Sequence, residues 1–272
     1  MKVYKAVIVV LCVFMVIGLS SCAFNDAFAK DVYEIRTVDG ATVTGLWVDV
    51  SVANVTVSPT SDTDVSVTLT GRSSSDNLGF SVSENDGTVI VKCTPKSWGW
   101  TDLTLDILIP ESIKGDEIYV AADTGKIAVE RLTVSGGVSL ETSTGGINSS
   151  SMRASAFSAK TDTGNVSLAD IDTVSLTAEA DTGSVSVDCV SQPANVDIKT
   201  STGTCSLTLP GSSSFHIVAE TSTGSVDCSD FTFSSTDTNK KNKVSGTVTG
   251  SSDKISDIWM RASTGSIKVK RR

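Results

Sequence analysis

The sequence contains little histidine, cysteine, positive charge or long apolar sequence, and each shortage counts against a class of protein. Its one histidine, His216, offers little for general acid–base chemistry. Six cysteines in 272 residues do not form the dense, evenly spaced set of a small disulfide scaffold. The chain has 31 acidic and 22 basic residues and a formal charge of −9, which argues against a nucleic-acid partner.

The apolar run over residues 6–19 follows two basic residues, Lys2 and Lys5, and is too short to span a bilayer comfortably. This pattern predicts a bacterial export signal over residues 1–21. Its removal takes away two lysines and no acidic residue, so the formal charge falls from −9 to −11. We therefore expect an acidic, exported protein.

The residues that follow predict how the chain is anchored. Residues 19–22, Leu-Ser-Ser-Cys, resemble a lipobox, so we expect Cys22 to be lipidated and to begin the mature protein, with 22–31 as a linker. Cleavage after Ala29 is the main alternative, and an uncleaved anchor is the third. All three place the rest of the chain outside the cytoplasm, and the lipid would hold it at the cell membrane or cell surface.

A turn signature, Asp/Ser-Thr-Gly-x-Ile/Val, recurs through the second half of the chain at intervals of about twenty residues, as in stacked repeats. The last two copies lie about two periods apart, and residues 244–248, Val-Ser-Gly-Thr-Val, occupy the place of a missing copy. The sequence thus predicts about eight rungs. The turn glycines are Gly125, Gly145, Gly164, Gly183, Gly203, Gly224 and Gly265.

Apolar and polar residues alternate on both sides of each glycine, which is typical of strands with one buried face. No single coil can bury its own apolar side chains, so the coils must stack with parallel strand pairing. We predict an all-β fold, a single-stranded right-handed β-helix (β-solenoid) over residues 116–272. A third inward column is expected at Leu132, Met152, Ile171, Val190, Pro210 and Phe231.

The outward position four residues before each glycine alternates in charge, and parallel stacking would form one ladder from these side chains. Such a ladder would penalise a slip of one rung. Its predicted order is Glu141, Lys160, Glu179, Lys199, Glu220 and, two rungs later, Arg261.

Both ends of the solenoid need protection. Residues 32–115 lack the period but remain strand-like, so we expect an irregular β-sandwich-like or capping region there. At the other end, Lys268 and Lys270 would point outward from the last strand and blunt an open edge. Contact of this basic tip with an anionic wall or membrane is the functional alternative.

These features resemble the bacterial β-strand-repeat proteins of unassigned function that are labelled putative adhesins. The matching segments are the apolar strand 103–110 ending in Pro110, the Thr-Gly-x-Ile/Val repeats, and residues 262–269. The resemblance covers nearly all of the mature chain. It implies an envelope-anchored β-solenoid, supplies no catalytic residues, and leaves a role in envelope-stress regulation open.

The Asp-Thr-Gly triplets match the motif of aspartic proteases, but serine replaces aspartate at four equivalent turns, so the motif follows turn geometry. Asp162 and Asp181 should stack on adjacent rungs, where a calcium ion is conceivable and two solvated turn caps are the plainer interpretation. We expect no catalytic residue and no cofactor. Cys205 occupies a position that is apolar in other repeats, so we expect it to be a small buried side chain. The redox states of Cys93, Cys189 and Cys228 stay open.

Tryptophans are the remaining candidates for ligand contact. Trp98 and Trp100 could stack on sugar rings or cap the solenoid end, and Trp47 and Trp259 fall in the polar phase of their strands. The sequence therefore predicts a non-enzymatic, lipid-anchored surface protein that binds a protein or glycan of the envelope or exterior. An envelope-stress regulator or scaffold is the alternative, and a polysaccharide-active enzyme is a remote one.

Overall fold

The computed structural model describes residues 29–97, 99–111 and 115–272. The predicted export signal, the lipidation candidate Cys22 and the ligand candidate Trp98 lie outside the described residues. The described residues form 21 strands of one sheet and one short 3-10 turn, Gly40–Thr42. No helix among them is long and apolar enough to cross a membrane.

The strands have the following bounds: β1 Lys30–Val38, β2 Gly45–Val52, β3 Asn54–Thr60, β4 Val65–Ser73, β5 Ser81–Asn85, β6 Thr88–Cys93, β7 Thr101–Pro110, β8 Gly115–Thr124, β9 Ile127–Glu130, β10 Val134–Thr144, β11 Ile147–Thr163, β12 Val166–Thr182, β13 Val185–Cys189, β14 Asn195–Thr202, β15 Cys205–Leu209, β16 Ser214–Thr223, β17 Val226–Asp227, β18 Phe233–Lys240, β19 Lys243–Val248, β20 Ile255–Thr264 and β21 Ile267–Arg271.

Each repeat contributes one strand before the Thr-Gly corner and one after it, and both sets form parallel ladders. The ladder before the corner runs β6, β2, β8, β10, β11, β12, β14, β20, β16. The ladder after the corner runs β7, β3, β9, β11, β12, β13, β15, β21, β17. The predicted all-β, solenoid-like fold is confirmed, and its right-handed sense stays a prediction.

The region 32–115 contributes to these same ladders. β2 pairs in parallel with β8, and β3 pairs in parallel with β9, so the sheet continues without a break across residue 115. Antiparallel strands follow at the end: β5 pairs with β6, and β1 pairs with β4, which pairs with β7. These outer strands occupy the position predicted for a cap.

The order of the strands departs from the sequence at the far end. β20 lies between β14 and β16, and β21 lies between β15 and β17, so a later segment separates two earlier rungs. The predicted rung at residues 244–248 is wrong, because that segment belongs to β19, which runs antiparallel to β16 and β18. A hairpin therefore replaces the missing copy.

The same insertion reorders the charge ladder. Glu141, Lys160, Glu179 and Lys199 stack as predicted, but Arg261 follows Lys199 and precedes Glu220. Two like charges are therefore neighbours. The expectation that Lys268 lies on an open edge is also wrong, because β21 has a partner on each side of this residue.

The core runs the length of the stack and consists of the inward residues of both ladders. The inward residues three, five and seven before each corner glycine are all buried, and so is the third column at Leu132, Met152, Ile171 and Phe231. Val190 and Pro210 are exceptions, since 42% of Val190 is exposed and Pro210 is only half-buried. A register shift between β12 and β13 places Cys189 opposite Ile171, and Cys189 fills the core position instead.

Candidate functional site

The Thr-Gly corners form a single column along the stack. Apart from Gly224 at the end of the stack, each corner glycine donates its N–H to the carbonyl of the threonine before the next glycine in the stack, as in Gly145 N to Thr163 O at 2.9 Å. The corner glycines have φ between 142° and 153°, a region that side chains rarely adopt. An added Cβ on Gly164 would lie 1.8 Å from the Gly145 carbonyl oxygen. The column runs Ala53, Gly125, Gly145, Gly164, Gly183, Gly203, Gly265, Gly224.

The inward residue three positions before each corner glycine is threonine in four rungs and can bond to the neighbouring rung. Where it is threonine, its hydroxyl donates to the corner carbonyl of the adjacent rung, as in Thr161 Oγ1 to Gly145 O at 2.9 Å. Thr142, Thr200 and Thr221 make equivalent bonds at 2.8–3.1 Å. Where it is alanine, as at Ala180, this bond has no donor. The corner glycines and the inward threonines thus build a structural contact between adjacent rungs.

The metal candidates Asp162 and Asp181 lie on adjacent rungs, because Thr163 pairs with Thr182. Both carboxylates are exposed to solvent. In the part of the chain that the structure describes, no group of three or more His, Cys, Asp and Glu side chains could hold a metal ion. A calcium site at this pair stays a hypothesis without a third ligand.

In three rungs, a second corner lies six residues after the corner glycine. Arg131, Ser151 and Asp170 adopt left-handed backbone there, with φ of 54–57°, although none is a glycine. This corner turns the chain toward the third side of the coil. Sequence reasoning did not find it, because the left-handed residues differ in type from rung to rung.

The third side carries an open groove of about 880 Å³ that crosses successive rungs. Hydroxyl, amide, carboxylate and guanidinium groups line it together with the exposed side chain of Val174, which is 59% exposed. The lining residues include Ser135, Arg153, Ser155, Asp172, Val174, Ser191, Gln192, Ser252, Asp253 and Lys254.

Two side chains, Asp172 and Gln192, hold neighbouring parts of this groove together through an ion pair and hydrogen bonds. Arg153 Nε lies 2.8 Å from Asp172 Oδ2, and Ser191 Oγ donates to Asp172 Oδ1 at 2.5 Å. Gln192 Nε2 lies 2.8–2.9 Å from three acceptors, the carbonyls of Ser214 and Lys254 and the hydroxyl of Ser256. Gln192 therefore ties the groove to the inserted strand β20 and its neighbour β16.

The aromatic candidates are dispersed. Trp47 stacks on Tyr119 with ring centroids 5.9 Å apart, and Lys92 Nζ lies 5.0 Å from the centre of the Trp47 ring, so both ring faces are occupied. Trp259 is 40% exposed on the same ladder. Trp100 is 39% exposed at the N-terminal end of the stack, where its backbone N–H donates to Ser74 Oγ at 2.8 Å. A ligand role for Trp100 stays a prediction.

His216 is exposed, as predicted, and its Nδ1 lies 2.7 Å from Thr247 Oγ1. The four described cysteines are all buried and free. Burial raises the pKa of Cys93 to about 11 and the pKa values of Cys189, Cys205 and Cys228 to about 12. These thiols are therefore protonated and belong to the core, which agrees with the prediction for Cys205.

The strands, corners and open side faces together define a repeat protein of the stacked-coil class, with parallel ladders on two sides of each corner. The model of the Toastrack DUF4097 family matches residues 43–270, and the chain belongs to this family.

Two solved structures are similar to the chain. A putative cell adhesion protein from Clostridium sporogenes has 14% sequence identity and a TM-score of 0.41, with 89% of this chain and 100% of that chain covered. A putative adhesin from Bacteroides fragilis has 12% identity and a TM-score of 0.46, with 88% and 97% covered. No curated protein matches the sequence.

Proposed function

We propose that this protein is a non-enzymatic lipoprotein of the cell envelope, anchored through Cys22, that acts as an adhesin-type binding module. Its partner is a protein or glycan of the envelope or the exterior. The observation that carries the proposal is the open groove on the third side of the coil, which polar groups from successive rungs line.

The geometry of the groove suits binding of an extended polar chain. Parallel strands repeat about every 4.8 Å, so equivalent side chains present themselves to a long ligand in steps. Val174 supplies an exposed apolar contact, and serine hydroxyls around it can donate or accept hydrogen bonds. Asp172 is engaged by Arg153 and Ser191, so its carboxyl oxygens already have partners within the protein.

Binding assays on the full chain test the proposal. The purified protein is applied to glycan arrays and to intact cells, beside a Val174→Arg variant that fills the groove. A Ser167→Arg variant places the same charge on the exposed ladder after the corner and serves as the matched control. We expect Val174→Arg to lower binding at least about tenfold, a loss of about 1.4 kcal/mol, and Ser167→Arg to leave it unchanged.

Three outcomes would contradict the proposal. Equal binding by Val174→Arg would remove the groove as the site. Absence of binding, together with altered envelope-stress responses after deletion of the gene, would favour the regulatory role instead. Release of sugar products from a polysaccharide panel would show an enzyme.

Anchoring is tested separately by cell fractionation. We expect Cys22→Ala to move the protein from the membrane fraction to the soluble exported fraction. If the variant stays with the membrane, Cys22 is not the anchor.

A further inference from the structure

The edge strand β1 differs from the edge at the other end of the stack. β1 pairs with β4 over nine consecutive residues without a register shift, and in the described part of the chain β4 is its one strand partner. It contains no proline, and its outward side chains include Tyr33, 72% exposed, and Ile35, 45% exposed. Four of its nine residues are charged, but a long and regular edge with exposed apolar side chains is open to further strand pairing.

The opposite edge carries the usual protection against such pairing. β18 shows two register shifts against β19, is polar along most of its length, and ends at Lys240 beside Lys241. On the other ladder, β17 contains two residues. Shifts, lysines and short strands all discourage edge-to-edge association. β5 is a further edge at the same end as β1, but it has five residues and is mostly polar. Among these edges, β1 is the longest and carries the exposed apolar side chains.

The sequence of β1 restricts how two copies could pair. In an antiparallel pair about a twofold axis perpendicular to the sheet, each strand keeps its inward side chains on the same side, so the axis must pass through a residue. An axis at Glu34 would place Glu34 opposite itself, and an axis at Arg36 would place Arg36 opposite itself. An axis at Tyr33 would place Lys30 opposite Arg36. Each of these registers sets like charges against each other.

An axis at Ile35 gives no like-charge pair within the overlap, residues 32–38, and places Asp31 opposite Asp39 just beyond it. Glu34 then lies opposite Arg36 on both sides of the axis, and Val32 lies opposite Val38. An axis at Val32 would also pair opposite charges but would overlap only the first half of β1.

We infer that two copies of this chain associate through antiparallel pairing of their β1 strands, in the register that places Ile35 on the twofold axis. Ile35 then contacts its own copy, and Tyr33 packs beside it, which buries both exposed apolar side chains. Arg36, now 2.7 Å from Glu34 of its own strand and bonded to the Ile35 carbonyl at 2.9 Å, exchanges these contacts for the partner's carboxylate and main chain. The inference is independent of the groove proposed as the binding site.

Cross-linking of the full chain tests both the contact and the register. In the inferred register Ile35→Cys places two thiols directly opposite each other, with Cα atoms about 5.5 Å apart. Tyr33→Cys places its two thiols roughly 14 Å apart, because Tyr33 lies opposite Thr37. With a short bifunctional maleimide we expect dimer from Ile35→Cys and none above the unsubstituted chain from Tyr33→Cys. A mixture of Tyr33→Cys and Thr37→Cys chains should cross-link to each other.

Charge substitutions test the pairing without cysteine. Glu34→Arg sets like charges against each other at two places, so we expect the sedimentation-measured dimer constant to weaken roughly tenfold. The double variant Glu34→Arg, Arg36→Glu restores opposite charges and should recover the dimer. Thermal unfolding midpoints of all variants check that the fold is intact.

The inference fails if Ile35→Cys cross-links no more than the unsubstituted chain, or if the double variant behaves like Glu34→Arg. It also fails if Tyr33 and Ile35 are labelled from the lipid phase of vesicles and the chain stays monomeric, because the apolar patch would then face a membrane.

Discussion

A single methyl group at a corner glycine tests the contact between one rung and the next. Gly164→Ala would bring a Cβ to 1.8 Å from the Gly145 carbonyl oxygen, at a φ of 153° that alanine disfavours. We expect it to destabilise the protein by about 3 kcal/mol or more, measured by chemical denaturation. Gly137→Ala is the control, because no atom lies within 4 Å of its added Cβ. Equal midpoints for the two variants would contradict this packing.

The inward threonines give a prediction in both directions. Thr161→Val keeps the side-chain shape but removes the hydroxyl bonded to Gly145 O, so we expect a loss of about 1 kcal/mol. Ala180→Thr supplies a hydroxyl donor for the Gly164 carbonyl. We expect the free energy of unfolding to rise by a similar amount, since threonine already occupies this column on four other rungs. Destabilisation by Ala180→Thr would show that this rung is too tightly packed for the extra atoms.

The buried thiols predict the effect of alkaline pH on stability. Folding raises the pKa of Cys205 from 9.0 to about 12, so the unfolded chain loses this proton first as the pH rises. The stabilising contribution is complete below pH 9 and is lost as the pH rises toward about 12. We expect the free energy of unfolding to fall more steeply above pH 9 in the native protein than in Cys205→Ala. Parallel slopes would disprove the linkage.

At the scale of elements, Gln192 is the side chain that fastens the inserted strand. Gln192→Ala removes its contacts to Ser214, Lys254 and Ser256, and we expect faster amide hydrogen exchange in β20 and a loss of about 1–3 kcal/mol. Asn195→Ala, at an exposed position in β14, serves as the control. Unchanged amide hydrogen exchange in β20 would show that Gln192 does not hold this strand in place.

The strands themselves were predictable from the sequence, because burial of one face imposes period-two alternation and the glycines mark each corner. Val190 was misplaced, because a local register shift between β12 and β13 leaves no trace in the alternation. The left-handed corner at Arg131, Ser151 and Asp170 was missed, because none of these residues is a glycine.

The order of the strands could not be predicted, because every repeat carries the same local pattern wherever it stacks. The charge ladder favoured the wrong order, since Lys199 and Glu220 appear complementary in sequence although Arg261 lies between them. The groove on the third side was also missed, as its residues have no shared pattern and come together through the stacking of several rungs.

For the whole molecule, the inserted rung decides what holds the far end in place. A chain ended after Gly250 lacks β20 and β21, which separates β16 and β17 from their parallel partners. We expect residues 211–250 to become sensitive to limited proteolysis, while the rungs from β8 to β15 stay resistant. A chain ended after Leu209 should show the same resistant core. Protection of 211–250 in the longer fragment would show that β16 can dock on β14 directly.

Synthesis order and stacking order therefore conflict in this protein. β14 and β16 are synthesised before β20, and direct docking of β16 on β14 in that interval would place Lys199 beside Glu220, with opposite charges. Once β20 emerges, it must separate them and place Arg261 beside Lys199. If the chain is exported unfolded, as the proposed lipoprotein signal implies, β20 is available when folding begins, and this premature pairing is avoided.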